Sequence, residues 1–256
     1  MAKAILYDST QCVGCRACEE GCAKRWNIPY NETIAKEEHI SAHKLTAVVT
    51  HGERYSRLLC MHCADPACVS VCPVAALQKS ALGAVVYDED RCMGCRYCMV
   101  ACAFQVPSYE WESRLPRVKK CNMCYERQRE GKPTACSEAC PTGATITGDR
   151  EALLAEARKR IAEKPTEYYP GIFGINEVGG TSVLMLSAVP FDKLGLRTNL
   201  PKEPLPSLTW AALSHIPDVV ALGSVLLGGI WWISHRRDEV AEAEREASSR
   251  RKEVSK

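Results

Sequence analysis

The 256-residue chain carries almost no net charge: 33 Lys and Arg face 31 Asp and Glu, leaving +2 at pH 7. That balance provides no general basic footprint and argues against nucleic acid as a partner. The chain also lacks a glycine-rich phosphate loop, a nucleophile–base constellation and an open metal site. Chemistry on a substrate is therefore expected to belong to another chain. Met1-Ala2-Lys3-Ala4 runs almost directly into a first strand, and nothing there reads as a targeting peptide.

What the chain does have is cysteine. Sixteen fall in four groups of four, with none left over. Two groups, Cys12, Cys15, Cys18, Cys22 and Cys92, Cys95, Cys98, Cys102, have the Cys-x2-Cys-x2-Cys-x3-Cys spacing of bacterial ferredoxins. Looser quartets stand at Cys60, Cys63, Cys68, Cys72 and at Cys121, Cys124, Cys136, Cys140. A cubane cluster needs four thiolates converging from different directions, and a short loop wraps only three of them around it. In the ferredoxin pattern the fourth cysteine of a run serves the other cluster of a pair. Four quartets imply four 4Fe-4S clusters and a protein that carries electrons.

Disulfides are the first competing reading, because an even count in a secreted chain usually means a covalent framework. A chain of this length buries its own core, and triplets at x2, x2 spacing leave most of their cysteines without a reasonable disulfide partner. Zinc is the better rival, since Cys-x2-Cys pairs also build zinc knuckles. A zinc-binding interaction or nucleic-acid module is accordingly the alternative function. Tetrahedral zinc is usually met by two pairs, and the triplets here argue against it.

An internal repeat organises the chain. Tyr7-Asp8 and Val13-Gly14-Cys15-Arg16 stand in register with Tyr87-Asp88 and Met93-Gly94-Cys95-Arg96, and Cys68 to Ala76 echoes Cys136 to Ala144. Between Cys72-Pro73 and Cys92 an apolar turn, a Gly83 break and Ala84-Val85-Val86-Tyr87 give the layout of an ordinary two-cluster ferredoxin. The economical arrangement is an inserted ferredoxin-like unit at 60–102, closed within an outer unit formed by 1–59 and 103–148. Cys12, Cys15, Cys18 and Cys140 would then hold one cluster, and Cys22, Cys121, Cys124 and Cys136 a second. Cys60, Cys63, Cys68 and Cys102 would hold a third, and Cys72, Cys92, Cys95 and Cys98 a fourth. A tandem arrangement is the other pairing that the spacing permits; it changes the pairing and not the number of clusters. Gly14 and Gly94 are expected where backbone amides approach a cluster. His62, between Cys60 and Cys63, reads as a supporting or surface histidine, since four cysteines are already at hand.

These motifs resemble those of the iron–sulfur (beta) subunits of membrane-bound respiratory complexes, especially hydrogenase-2-type nickel–iron hydrogenases and formate dehydrogenases. The resemblance runs over nearly the whole length. It is carried by Leu6-Tyr7-Asp8-Ser9-Thr10, Cys60-Met61-His62-Cys63-Ala64-Asp65-Pro66-Ala67-Cys68-Val69-Ser70-Val71-Cys72-Pro73, Gly94-Cys95-Arg96-Tyr97-Cys98 and Gly179-Gly180-Thr181. It implies the nested pairing and a wire of four clusters. That wire would join a catalytic subunit (nickel–iron hydrogenase or molybdenum/tungsten formate dehydrogenase type) to an integral membrane, quinone-linked subunit. Two departures stand out: Ala23 and Ala103 occupy the places where ferredoxin runs often have proline, and the twin-arginine signal common in hydrogenase-type relatives is not seen.

Beyond Cys140 the character changes. Within 149–207, Asp149 is expected to cap a helix with an apolar face of Leu153, Leu154, Ala157 and Ile161, packed on the ferredoxin core. The Gly- and Pro-rich stretch from Pro165 to Pro206 reads as an extended arm with one β-like run, Ser182 to Leu186. It reads equally as a strap along a partner or as a linker. Residues 208–235 read as a single transmembrane anchor in the lipid bilayer, with Pro217 at the helix start, Trp231-Trp232 at an interface and His235-Arg236-Arg237 as a basic stop. His215 reads as a polar interface residue. Arg236, Arg237, Arg245, Arg250, Arg251, Lys252 and Lys256 follow the span, against Arg197 and Lys202 before it, so the charged tail 236–256 is expected in the cytoplasm. The cluster domain would then be extracytoplasmic, crossing with a signal-bearing partner; a cytoplasm-facing domain is the alternative. The expected fold class is α+β: two nested ferredoxin-like units, an arm and one transmembrane helix.

Overall fold

The computed structural model describes residues 2–114 and 116–254, in two compact units that meet in sequence at Ser207 and Leu208. The first unit is built on a three-stranded sheet whose central strand is Lys3–Asp8. Thr145–Asp149 pairs with it antiparallel, with Leu6 opposite Ile146, and Val183–Leu186 pairs parallel, with Leu6 opposite Leu184. Successive side chains of a strand point to opposite faces. Ile5 and Tyr7 accordingly pack with Cys18, Met123 and Cys136, while Ala4 and Leu6 pack with Leu153, Leu154 and Ala157. The strand is covered on both faces, which is why it reads as a nearly unbroken apolar run.

The helix on the second face spans Arg150–Glu163, with Leu153, Leu154 and Ala157 buried as the periodicity predicts. Burying each leucine contributes roughly 1.5–3 kcal/mol. Asp149 sits at the N-cap position but makes no capping hydrogen bond; its carboxylate pairs instead with Lys3 Nζ at 2.8 Å. Near the other end Arg160 reaches Asp8 at 3.1 Å, tying the helix to the central strand.

The expected arm at Pro165–Pro206 is a correction. The chain folds back, adds the parallel strand Val183–Leu186 to the central sheet and sends Phe173, Phe191 and Leu194 into the interior. Phe173 meets Phe104 edge-on, with ring centroids 6.3 Å apart, and packs on Phe191 at 5.4 Å. The glycines and prolines mark turns within a folded segment. Gly174, at φ +102°, leaves no room for a Cβ, which would lie 2.2 Å from the Val183 carbonyl. Phe173→Ala is therefore expected to destabilise the first unit by about 3–5 kcal/mol, read as a lowered thermal midpoint of the purified protein. An unchanged midpoint would return the segment to the status of an arm.

Three two-stranded ribbons complete the unit. Thr46–His51 pairs with Arg54–Leu59, Leu77–Lys79 with Val85–Tyr87, and Ser108–Tyr109 with Val118–Lys119. The core around Cys68, Leu77, Val85 and Cys98 also takes in Val118 and Tyr109, so the packing of the inserted segment reaches beyond Cys102.

The second unit is helical. Ile216–Val254 is one continuous helix with Pro217 in its first turn, where proline's missing N–H has no intrahelical role. The helical stretch Leu205–Ser248, broken by a turn at Ser214–His215, is long and apolar enough to cross a membrane. Its most apolar window has a mean hydropathy of 1.7, and none of that window is buried. The charged tail continues the same helix, and Ser255 and Lys256 lie outside the described residues.

Candidate metal centres

The two tight cysteine runs fold by the same local rules. Gly14 and Arg16 take left-handed φ values of 69° and 58°, and Gly94 and Arg96 take 73° and 63°. Each loop curls back before a helix starts, at Ala17–Trp26 and Tyr97–Ala101, with Cys18 and Cys98 buried in the first turn. The glycines answer to this turn and to packing: a Cβ on Gly14 would lie 2.3 Å from the Tyr55 ring. The repeated aspartates start both loops, Asp8 accepting from Thr10 N–H at 3.0 Å and Asp88 from Asp90 N–H at 3.1 Å. The repeated tyrosines lie beside the first cysteine of each run. Burial, then Cys12, raises the Tyr7 pKa, and burial, then the neighbouring Cys92 thiol, raises that of Tyr87.

Around the thiols the dominant force is desolvation, which favours the neutral form. Burial pushes Cys98 up to about 11, and the next causes are its neighbours Cys92, Cys95 and Cys72. Those four line one small cavity with Tyr87 and Val118. Cys63 is pushed up by burial and then by Cys60, Cys102 and Cys68; Cys63, Cys68 and Cys102 line a second small cavity. Burial, then Cys136 and Cys124, takes Cys22 to about 12, and Cys121 is raised by burial with Cys22, Cys60, Cys124 and Cys136 around it. Cys18 reaches about 11 through burial, opposed by Arg57 and assisted by Cys136 and Cys12.

Cys140 behaves differently. Burial raises it, but backbone hydrogen bonds from Thr145, Thr142 and Ala144 and the Thr142 hydroxyl hold it below the ordinary thiol range. Only Cys15 and Cys95 are exposed, and none of the sixteen cysteines forms a disulfide.

An all-cysteine donor set lining a cavity fits a cubane cluster. Backbone N–H groups already point at the sulfurs, Ala76 to Cys72 at 3.2 Å and Met123 to Cys121 at 3.3 Å. Among the described residues no three His, Cys, Asp or Glu side chains converge on a single-ion site. Zinc would draw four thiolates to about 2.3 Å from one ion, whereas a cluster of four irons takes a wider set.

Spacing does not reveal the cations beside these thiols, Arg57 and Lys120 buried and Lys79 half-buried. Arg57, Lys79 and Lys120 have no carboxylate partner among the described residues, while Arg16 and Lys44 share Glu19 at 3.1 and 3.2 Å. Lys79 Nζ donates to the carbonyls of His62, Cys63 and Gly83, and Lys120 to those of Val85 and Cys121. Burial first, with Lys120 adding to it against the pull of the Cys63 and Cys60 thiols, lowers Lys79 to about 8. His62 is fully buried, which excludes the surface reading. Its Nδ1 accepts from Val85 N–H at 2.9 Å, so the proton sits on Nε2, which has no hydrogen-bond partner. Burial, then Lys120 and Lys79, holds the ring well below the ordinary histidine pKa, and it is neutral.

Residues 51–150 match the family model of a 4Fe-4S dicluster domain. The chain is 39% identical to the hydrogenase-2 operon protein HybA of Escherichia coli O157:H7, over 75% of this chain and 72% of that protein. It is 32% identical to the formate dehydrogenase iron-sulfur subunit of Haemophilus influenzae, over 89% of this chain and 78% of the relative. With the formate dehydrogenase-O iron-sulfur subunit of Escherichia coli K12 the identity is 34%, over 78% and 71%. With its cysteine loops, thiol-lined cavities and these relatives taken together, the chain belongs to the family of iron–sulfur subunits that includes HybA and the iron–sulfur subunits of formate dehydrogenases.

Proposed function

We propose that this chain is the electron-transfer subunit between a catalytic partner, of nickel–iron hydrogenase or formate dehydrogenase type, and an integral membrane, quinone-linked subunit. Four 4Fe-4S clusters are assigned in the nested pairing. Cys12, Cys15, Cys18 and Cys140 hold the first, and Cys22, Cys121, Cys124 and Cys136 the second. Cys60, Cys63, Cys68 and Cys102 hold the third, and Cys72, Cys92, Cys95 and Cys98 the fourth. When bound, each cluster supplies a one-electron couple whose potential depends on charge, hydrogen bonds and exposure.

The observation that supports this reading is the adjacency of the thiols: Cys18 lies near Cys136, Cys121 near Cys60, and Cys68 near Cys98, which under the proposed pairing links each set to the next. The two exposed cysteines, Cys15 and Cys95, fall in the first and last sets. Under this assignment the two inner sets contain no exposed thiol, and an exposed one in each outer set admits a partner.

The apolar C-terminal helix serves as the membrane anchor in this proposal. Basic residues after it set the tail in the cytoplasm and the cluster domain outside it. A reductive titration tests the redox assignment: the purified chain is expected to show a broad brown absorption that bleaches on reduction. A colourless protein, or a colour indifferent to reductant, would refute it.

A further inference from the structure

Arg57 is the largest fully buried side chain of the molecule, 1% exposed. It lies opposite Val48 in the Thr46–His51/Arg54–Leu59 ribbon, at the strand parity of Tyr55 and Leu59, both of which pack in the core that contains Cys18 and Cys136. Its Nε donates to Thr46 Oγ1 and its Nη1 to Thr145 Oγ1, both at 3.0 Å. Those partners are neutral, and no carboxylate pairs with Arg57 among the described residues. A guanidinium cannot shed its proton to escape burial. An unpaired buried charge is costly enough that a protein keeps one only where an opposite charge offsets it. The acidic groups next to it are the thiols of Cys136, Cys18 and Cys121. Cys18 belongs to the first assigned set, and Cys136 and Cys121 to the second.

We infer that Arg57 is a fixed counter-charge for the two clusters of the outer unit and holds their reduction potentials up. The inference rests on the cysteine assignment proposed above. Taking up one electron from a donor makes the thiolate-bound site one unit more negative, with no bond made or broken. A nearby cation favours that more negative form, and because arginine stays protonated the effect is present at every working pH. Arg57 acts through this charge as a positioning residue and is not itself a ligand. The nearby Arg16 is different in kind, because it has a carboxylate partner, Glu19, which it shares with Lys44.

The test is a spectroscopically monitored redox titration of the full-length holoprotein and its Arg57→Gln, Arg57→Met and Arg57→Lys variants, with iron and sulfide measured on each sample. In Gln and Met variants of unchanged iron content, at least one of the four couples is expected to become tenfold or more harder to reduce, a shift of about 59 mV for one electron. Arg57→Lys, which keeps the charge, is expected to stay near the parent values. Unmoved potentials in fully loaded Gln and Met variants would overturn the inference, as would a Lys variant that shifts as far as they do. Should Gln and Met both fail to retain iron, Lys decides: full iron with parent potentials supports a charge role, and loss of iron from Lys as well overturns it. A parent protein short of the iron that four clusters require would instead count against the cysteine assignment.

Discussion

Serine in place of Cys140 is expected to remove about four iron per chain and to reduce electron delivery from donor to quinone to background, because one interrupted link stops a linear relay. The pairing makes a sharper forecast for double variants. Two changes within one set remove the same cluster twice, and two changes in different sets remove two clusters. Cys12→Ser with Cys140→Ser should therefore lose about four iron, as either single change does, whereas Cys22→Ser with Cys140→Ser should lose about eight. Under the tandem pairing Cys12 and Cys140 serve different clusters, and the first double variant would lose about eight. Iron per chain, with labile sulfide in parallel, separates the two without recourse to activity.

Deletion of residues 208–256 should move the protein from the membrane fraction into solution. Between Val219 and Ile233 stand eight Val, Leu and Ile side chains with no charged residue. At about 0.3–0.6 kcal/mol each these favour insertion by roughly 2–5 kcal/mol, well over tenfold in partition. Side chains such as Leu222 and Val225 are largely exposed, and the core residues of the first unit all lie before residue 208. The truncated complex should still reduce an artificial dye through its catalytic partner while delivery to quinone falls. Full quinone reduction by the truncated complex would remove the anchoring role. A reporter active only in the cytoplasm, attached at Lys256, should be active; a silent but stably expressed fusion would reverse the proposed orientation.

The two tight cysteine loops were legible because their spacing is local: each curls within a few residues, and its turn glycine and aspartate recur in register. The helix at Arg150–Glu163 was legible for the same reason, as its apolar residues repeat at helical intervals. What the sequence hid is non-local. Val183–Leu186 is apolar wherever it lies, and only its partner strand Lys3–Asp8, far away in the chain, turns the supposed arm into core. Asp149 stands where a capping residue belongs, yet Lys3 claims its carboxylate from across the sheet. Arg57 hides most completely. A lone arginine among Tyr55, Ser56 and Leu58 reads as a solvent-facing position, whereas the fold buries it beside thiols from two cysteine groups far apart in the chain, Cys18 and the pair Cys121 and Cys136. The complete burial of His62 was likewise hidden, since Val85, whose N–H its Nδ1 accepts, lies 23 residues further on.

Iron, acid-labile sulfide and zinc measured on one sample of the purified full-length chain test the central claim most directly. The four-cluster assignment predicts about sixteen iron and about sixteen sulfide per chain with negligible zinc; about four zinc in a colourless, iron-free protein would contradict it.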